Sequence, residues 1–345
     1  MPMENTEKLI ATLLSGLKPR EKEVLGKRFG LRRKDFRTLA ELGAQYGITR
    51  ERVRQIEATG LAALRDKVRR GAGREFYAYL ANHLGNVGGV RRADFFANDL
   101  RQALGCNLGE EQLHFLLEAH GALRYHPEDE SCFAFWYADP GAWKAAANFI
   151  EKFKKYIGNR KEDLLTHKKF DELFAQAIKP HALKDFVGLN YLTVSKQFGT
   201  NIYGDFGLTE WPEISPKTMR DRAYLILKKH TKPLHFREIA RLINEIRFDH
   251  KVAHPSTVHN ELIKDGRFVL VGRGIYGLKE LGFVPGTAKD VIKRVLKAKG
   301  PCSAEDVLSA VLKERFFKPN TVLLNLQNKK IFGRTPDGGY VIREA

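Results

Sequence analysis

The chain has 345 residues, 43% of them hydrophobic and 29% charged, with a formal net charge of +18. This balance excludes a disordered chain, and the length fits two or three ordinary domains or a larger number of small ones. No apolar run reaches the roughly 18 residues that a membrane span needs, and the first residues lack the basic-then-apolar layout of a signal peptide. A cytoplasmic protein is therefore expected.

The charge is unevenly placed. Residues 1–70 carry 17 Lys and Arg against 9 Asp and Glu, whereas residues 71–140 carry 5 against 10. Residues 141–214 are near balance at 11 against 9. Residues 215–280 carry 14 against 7, and residues 281–345 carry 12 against 6. Basic blocks favour a polyanion through phosphate contact and counterion release. The acidic block is expected to pack internally or to meet another protein. Cys106, Cys132 and Cys302 are far apart and form no C-x-x-C pair, so free, buried thiols are expected rather than a zinc or redox motif.

In chain order, Glu21 to Phe29 reads as a helix that ends at Gly30. Thr38-Leu39-Ala40-Glu41 has the spacing of a capping box, Thr at the N-cap and Glu three residues on. A short helix follows, Gly47 supplies the turn after it, Ile48 enters the core, and Thr49 caps the next helix. Two short helices joined by a glycine-containing turn form a helix-turn-helix pattern. On the helix after Thr49, at about 100° per residue, Val53, Ile56, Gly60 and Leu64 share the face turned to the core. Arg50, Glu51, Arg54 and Gln55 share the opposite face within the first two turns. Arginine matches the guanine edge, glutamate accepts from cytosine and glutamine pairs with adenine, so these four are the expected base contacts. A solvated face with Glu–Arg pairs is the bland alternative.

Residues 71–345 show a weak repeat with a period near 70 residues, each unit a set of helices followed by a hydrophobic hairpin. The two clearest hairpins lie at residues 261–280 and 325–344, both running from a helix into a strand, a Gly-rich turn and a second strand. The expected fold is mainly α with small β-hairpin wings. A helix-turn-helix over residues 1–70 is followed by tandem winged-helix modules at 71–140 (acidic), 141–215, 216–281 and 282–345.

The segment from Leu17 to Arg65, with TRERVRQIE running unbroken from Thr49, resembles region 4 of the sigma-70 family, the part of bacterial sigma factors that reads the −35 promoter element. The resemblance implies base contacts by Arg50, Glu51, Arg54 and Gln55, and phosphate contacts by Arg20, Arg28, Thr38 and Leu39. Thr49 and Arg52 are added to the phosphate set. The family usually has Lys or Arg where Thr59 stands, and Arg32-Arg33-Lys34 make the preceding loop unusually basic. No segment resembling region 2, which melts the −10 element, is recognised, so a complete sigma factor is not expected.

Residues 217–280 are similar to the HARE-type helix-turn-helix, a winged-helix module found in the delta subunit of some bacterial RNA polymerases, in chromatin proteins and in restriction systems. The resemblance rests on Pro233-Leu234, Glu238-Ile239-Ala240, Thr257, Leu262 and the stretch from Gly274 to Leu278. It fixes fold better than role. Lys264, Arg267 and Arg273 are secondary candidates for phosphate contact, with a solvated basic surface as the equal alternative.

Nothing points to catalysis. Gly272-Arg273-Gly274 is a turn without the GK[ST] of a phosphate loop, and no nucleophile–base arrangement is recognised. His250, His254 and His259 beside Asp249 do not give four metal ligands at a known spacing. Glu110-Glu111 and Glu128-Asp129-Glu130 read as solvated turns or a protein contact, and Phe133, Phe135, Trp136 and Tyr137 as hairpin core. The expected protein is a bacterial, nucleoid-associated, sequence-specific transcription factor. Its partners are double-stranded DNA and core RNA polymerase, with no cofactor, metal, membrane or small-molecule substrate. The alternatives are a polymerase accessory subunit acting by protein contact, or the DNA-binding subunit of a restriction or repair system.

Overall fold

The computed structural model describes residues 6–31, 36–104, 109–314 and 317–343, so Arg32 to Lys34 and Cys106 lie outside the described residues. The chain divides into two units, one essentially residues 1–209 and the other mainly 210–345. Helices dominate, and every sheet is small and antiparallel. Among the described residues no helix is long and apolar enough to cross a membrane.

The first unit opens with four helices, α1 (Thr6–Leu14), α2 (Pro19–Arg28), α3 (Leu39–Tyr46) and α4 (Arg50–Arg69). Val24, Leu42 and Val53 come from three different helices and are fully buried together, with Leu39, Tyr46, Ile48 and Ile56 packed around them. Each such burial contributes about 1.5–3 kcal/mol, so this small cluster is enough to fix α3 and α4 at a set angle. The next elements are α5 (Arg74–Asn86), β1 (Val90–Arg92), α6 (Ala93–Leu104), α7 (Glu110–His120), β2 (Arg124–His126) and β3 (Phe135–Tyr137). The strands lie in the order β1-β3-β2.

The turn at Gly71 to Gly73 does not interrupt the core. One hydrophobic cluster joins Leu9, Leu13, Leu25, Leu61 and Leu64 to Phe76, Leu80, Phe96, Phe115 and Trp136. At this seam Phe29 meets Phe115 edge-on at 5.6 Å. The Arg65 guanidinium donates to the Glu118 carbonyl at 3.3 Å and lies 3.6 Å from its carboxylate. Tyr77 donates to the Leu116 carbonyl at 3.1 Å, and its ring stacks on His120 at 4.6 Å.

Phe135 and Trp136 are both buried although neighbouring strand residues point to opposite faces. The reason is that β3 is the central strand and is covered on both sides. Trp136 belongs to the core just described, while Phe135 packs on Trp143, 4.5 Å away, in α8 (Pro140–Gly158). The first unit continues with α9 (Lys161–Leu165), α10 (Phe170–Ile178), α11 (Asp185–Val194) and the hairpin β4 (Phe198–Thr200)–β5 (Phe206–Leu208). Cys132 is buried, and burial pushes its thiol pKa up.

The second unit holds two consecutive helix–hairpin groups with separate cores. The first is α12 (Met219–His230), β6 (Leu234–His235), α13 (Phe236–Ile246), α14 (Pro255–Lys264), β7 (Phe268–Gly272) and β8 (Ile275–Leu278), with strand order β6-β8-β7. Ile239, Leu262, Tyr276 and Leu278 fill its core. The last group is α15 (Ala288–Lys299), α16 (Ala304–Glu314), α17 (Pro319–Leu326), β9 (Phe332–Arg334) and β10 (Tyr340–Ile342), with Cys302 bridging to Tyr340. Helix, short strand or bridge, two helices and a hairpin thus recur at residues 74–137, 219–278 and 288–342.

Candidate nucleic-acid interface

The capping box at the start of α3 is complete. The Glu41 backbone N–H donates to the Thr38 hydroxyl at 3.2 Å, and the Thr38 N–H donates back to the Glu41 carboxylate at 2.7 Å. These contacts hold the Glu41 carboxyl below the usual range, the backbone bond to Thr38 being the largest cause. The N–H of Leu39, at the first helical position, has no intrahelical acceptor and remains an anion donor.

Two glycines make the turn into α4. Gly47 ends α3 in the left-handed region at φ 66°. Gly43 is buried where a Cβ would stand 2.8 Å from the Ile48 carbonyl oxygen and 3.3 Å from the Arg50 nitrogen. Only a residue without a side chain lets the chain pass so closely over α3. Thr49 then caps α4 by accepting from the Arg52 N–H at 3.1 Å.

Val53, Gly60, Leu61 and Leu64 are buried on α4, while Ile56 is half-buried. Arg50, Glu51, Arg52, Arg54 and Gln55 are all exposed. Arg54 grips Glu51 through two parallel bonds, at 2.9 Å from Nε and 2.7 Å from a terminal nitrogen. That fork lowers the Glu51 carboxyl and raises the Arg54 guanidinium. Arg52 donates to the Gln55 amide oxygen at 2.9 Å. The polar face therefore carries two internally matched donor–acceptor pairs in its first two turns.

The residues assigned to phosphate divide by local setting. Arg20 is exposed and its guanidinium lies 3.6 Å over the Tyr46 ring, tying α2 to α3. Arg28 is half-buried, paired with Glu57 of α4 at 3.2 Å and close to the Phe36 ring. Thr38, Thr49 and Arg52 are exposed and Leu39 is half-buried. Thr59 is exposed, its hydroxyl donating back to the Gln55 carbonyl at 2.8 Å. The sequence reading missed the Arg20–Tyr46 stack, the Arg28–Glu57 pair and the close approach at Gly43. Each joins residues whose proximity only the fold creates, although a glycine inside a helix was a visible signal.

In the second unit, Arg267 is engaged by Asp265 at 2.6 Å and Asp221 at 3.2 Å, with its guanidinium over Tyr224. Lys264 is exposed and lies 3.9 Å from Glu261. Arg273 is exposed in the β7–β8 turn. Asp249, beside the three histidines of that region, is held by the buried Arg222. Among the described residues no group of three His, Cys, Asp or Glu side chains converges to hold a metal.

Residues 13–66 match the model of sigma-70, region 4. RNA polymerase sigma factor SigA of Clostridium acetobutylicum is 53% identical over 53 residues, 15% of this chain and 14% of that protein. RpoD of Neisseria gonorrhoeae is 49% identical over 57 residues, 16% of this chain and 9% of that protein. SigA1 of Synechococcus elongatus is 51% identical over 53 residues, 15% of this chain and 13% of that protein. The similarity is thus dense but short, and it ends inside α4 before the part of the chain that extends the first core.

Proposed function

We propose that this chain is a DNA-binding transcription factor of sigma-like type that reads a −35-like promoter element through the N-terminal half of α4. The observation that carries this reading is the outward set Arg50, Glu51, Arg54 and Gln55. It stands on a capped helix behind a tight glycine turn, within the segment that matches region 4. In this reading those four side chains contact base edges. Arg20, Arg28, Thr38, Leu39, Thr49 and Arg52 hold the flanking phosphates, the Leu39 N–H acting from a helix start. Arg28 reaches phosphate only by giving up part of its bond to Glu57.

The groups at residues 74–137, 219–278 and 288–342 are read as winged helices, the middle one of HARE type. Their support is the recurring order of helix, strand or bridge, two helices and a hairpin. The two in the second unit add basic surface. The acidic residues 71–140 are the candidate contact for another protein, core RNA polymerase in this reading. The chain works in the bacterial cytoplasm on nucleoid DNA, without cofactor or catalysis of its own.

Selection of bound sequences from random duplex DNA tests the reading. Recovery of a −35-like motif supports it, and an enrichment no different from random sequence removes it. Transcription with core polymerase then separates the roles. Initiation that depends on the chain marks a sigma factor, whereas an effect only in the presence of another sigma factor marks a regulator.

A further inference from the structure

The second unit carries a basic depression that brings Arg273, a secondary candidate for phosphate contact from its sequence, together with residues to which no contact has been assigned. Four elements meet there: the end of β6, the start of α13, the middle of α14 and the β7–β8 turn. The Phe236 ring forms its floor, with the His235 imidazole 4.5 Å away on one side and that of His259 4.6 Å away on the other. Arg237 and Arg273 stand at the rim, both exposed.

The site is held together by backbone and packing. The Phe236 N–H donates to the Gly274 carbonyl at 2.9 Å, which ties the hairpin turn to the start of α13. His235 pairs with Ile275 across β6–β8, and its Nδ1 accepts from the Arg237 N–H at 3.3 Å. The His259 ring also meets Tyr276 of the core edge-on at 5.8 Å.

The charge state of the rim is the decisive feature. Four of the seven guanidiniums in residues 215–280 are neutralised within the fold. Arg222 is bound by Asp249, Arg267 by Asp265 and Asp221, Arg220 by Glu261, and Arg241 by Glu238 and Glu245. Among the described residues neither Arg237 nor Arg273 has an ion-pair partner, and the carboxylate nearest in sequence, that of Glu238, is already taken by Arg241. Two forked donors beside two imidazoles, with no acid among the lining residues, form an anion site. A planar guanidinium matches phosphate oxygens two at a time. The surrounding segment, residues 215–280, holds 14 Lys and Arg against 7 Asp and Glu, which favours a polyanion over a lone anion.

We propose that this depression binds a backbone phosphate of double-stranded DNA, with Arg237 and Arg273 as the charged contacts and Phe236 packing against the adjoining sugar. The proposal rests on the reading of the chain as a DNA-binding protein, but it concerns a second contact, independent of Arg50 to Gln55.

The test uses the full chain and the salt dependence of duplex binding. Each phosphate contact adds about 0.9 to the slope of log affinity against log salt. The double variant Arg237→Ala/Arg273→Ala, which removes this one phosphate contact, is expected to lower that slope by about 0.9 while keeping the preference for the selected sequence. Arg241→Ala, whose guanidinium is already bound by two carboxylates, is expected to leave the slope unchanged. An unchanged slope in the double variant overturns the proposal, and so does an equal drop in Arg241→Ala, which would reduce the effect to general charge. Imidazole signals of His235 and His259 are followed in parallel by NMR. Duplex is expected to move them in the wild type and not in the double variant. If inorganic phosphate moves them and duplex does not, the site holds a free anion and the DNA assignment fails. Failure of the parent reading looks different: the wild-type chain itself would then not bind duplex.

Discussion

Arg54 and Glu51 lie one turn apart, and their fork sets the electrostatics of the reading face. Glu51, Arg54 and Gln55 are each already bonded to a neighbour, so under the proposed reading contact with DNA must exchange an internal bond for one to a base. A matched base pair can replace both halves of the fork, while a mismatched one leaves a donor or an acceptor open. Arg54→Ala is therefore expected to cost on the order of 1–3 kcal/mol on the preferred sequence and to relax specificity there. Competition binding against single-base variants of the site measures this. A uniform loss on all sequences would make Arg54 a phosphate contact. The Glu51 carboxyl is held low by Arg54, so the fork is present at neutral pH and is lost as pH falls through a pKa lower than that of a free glutamate.

The two short helices depend on their ends. Thr49→Ala removes the acceptor for the Arg52 N–H and is expected to destabilise the first unit by about 1 kcal/mol in urea titration. Gly43→Ala acts through space instead. Its methyl group would meet the Ile48 carbonyl at 2.8 Å, so the turn must move and carry α4 with it. The expected stability loss is about 1–3 kcal/mol. Its loss of specific DNA affinity should exceed that of Thr49→Ala, because a displaced α4 no longer presents its four readers together. Equal affinity for both variants would show that the angle of α4 does not depend on Gly43.

At the scale of the first unit, the N-terminal helices share a core with the hairpin group that follows them. Phe115→Ala, remote in sequence from α4, is expected to cost about 3–5 kcal/mol. It should lower hydrogen-exchange protection in α4 and α7 together, whereas protection lost in α7 alone would show two independent modules. The same seam gives a pH dependence. Burial, aided by Arg28, pushes the His114 imidazole down, and burial does the same for His120. Both protonate at lower pH in the folded state than in the unfolded chain, so the unfolded chain takes up protons first. Stability is full above the ordinary imidazole pKa of about 6.5 and falls as pH drops through it. Glu118, pushed up mainly by burial, opposes this at lower pH, near the carboxylate range. The Tm of the wild type is expected to fall more steeply from pH 8 to pH 5 than that of His114→Asn/His120→Asn. Parallel curves would mean that these rings do not carry the linkage.

The sequence by itself determined the local chemistry of α3 and α4. Thr38, Glu41, Gly47 and Thr49 act within four residues of their own position, and the period of α4 separates Val53, Gly60 and Leu64 from Arg50, Glu51, Arg54 and Gln55. The density of the TRERVRQIE stretch also made Leu17 to Arg65 recognisable as resembling region 4, within the residues 13–66 that match the family model. Leu61 was not legible, because it is buried in a core that draws on residues from Leu9 to Trp136. The burial of both Phe135 and Trp136 required β3 to be the middle strand, which strand order alone decides. The fate of the arginines was likewise tertiary. Arg267 lies between Asp265 and Asp221, while Arg273, exposed at a turn, has no ion-pair partner among the described residues. A side chain's type and helical phase are fixed locally, whereas its partners arise only when distant segments pack. The sequence thus set which face of α4 is polar, and the fold decided which charges are paired with one another.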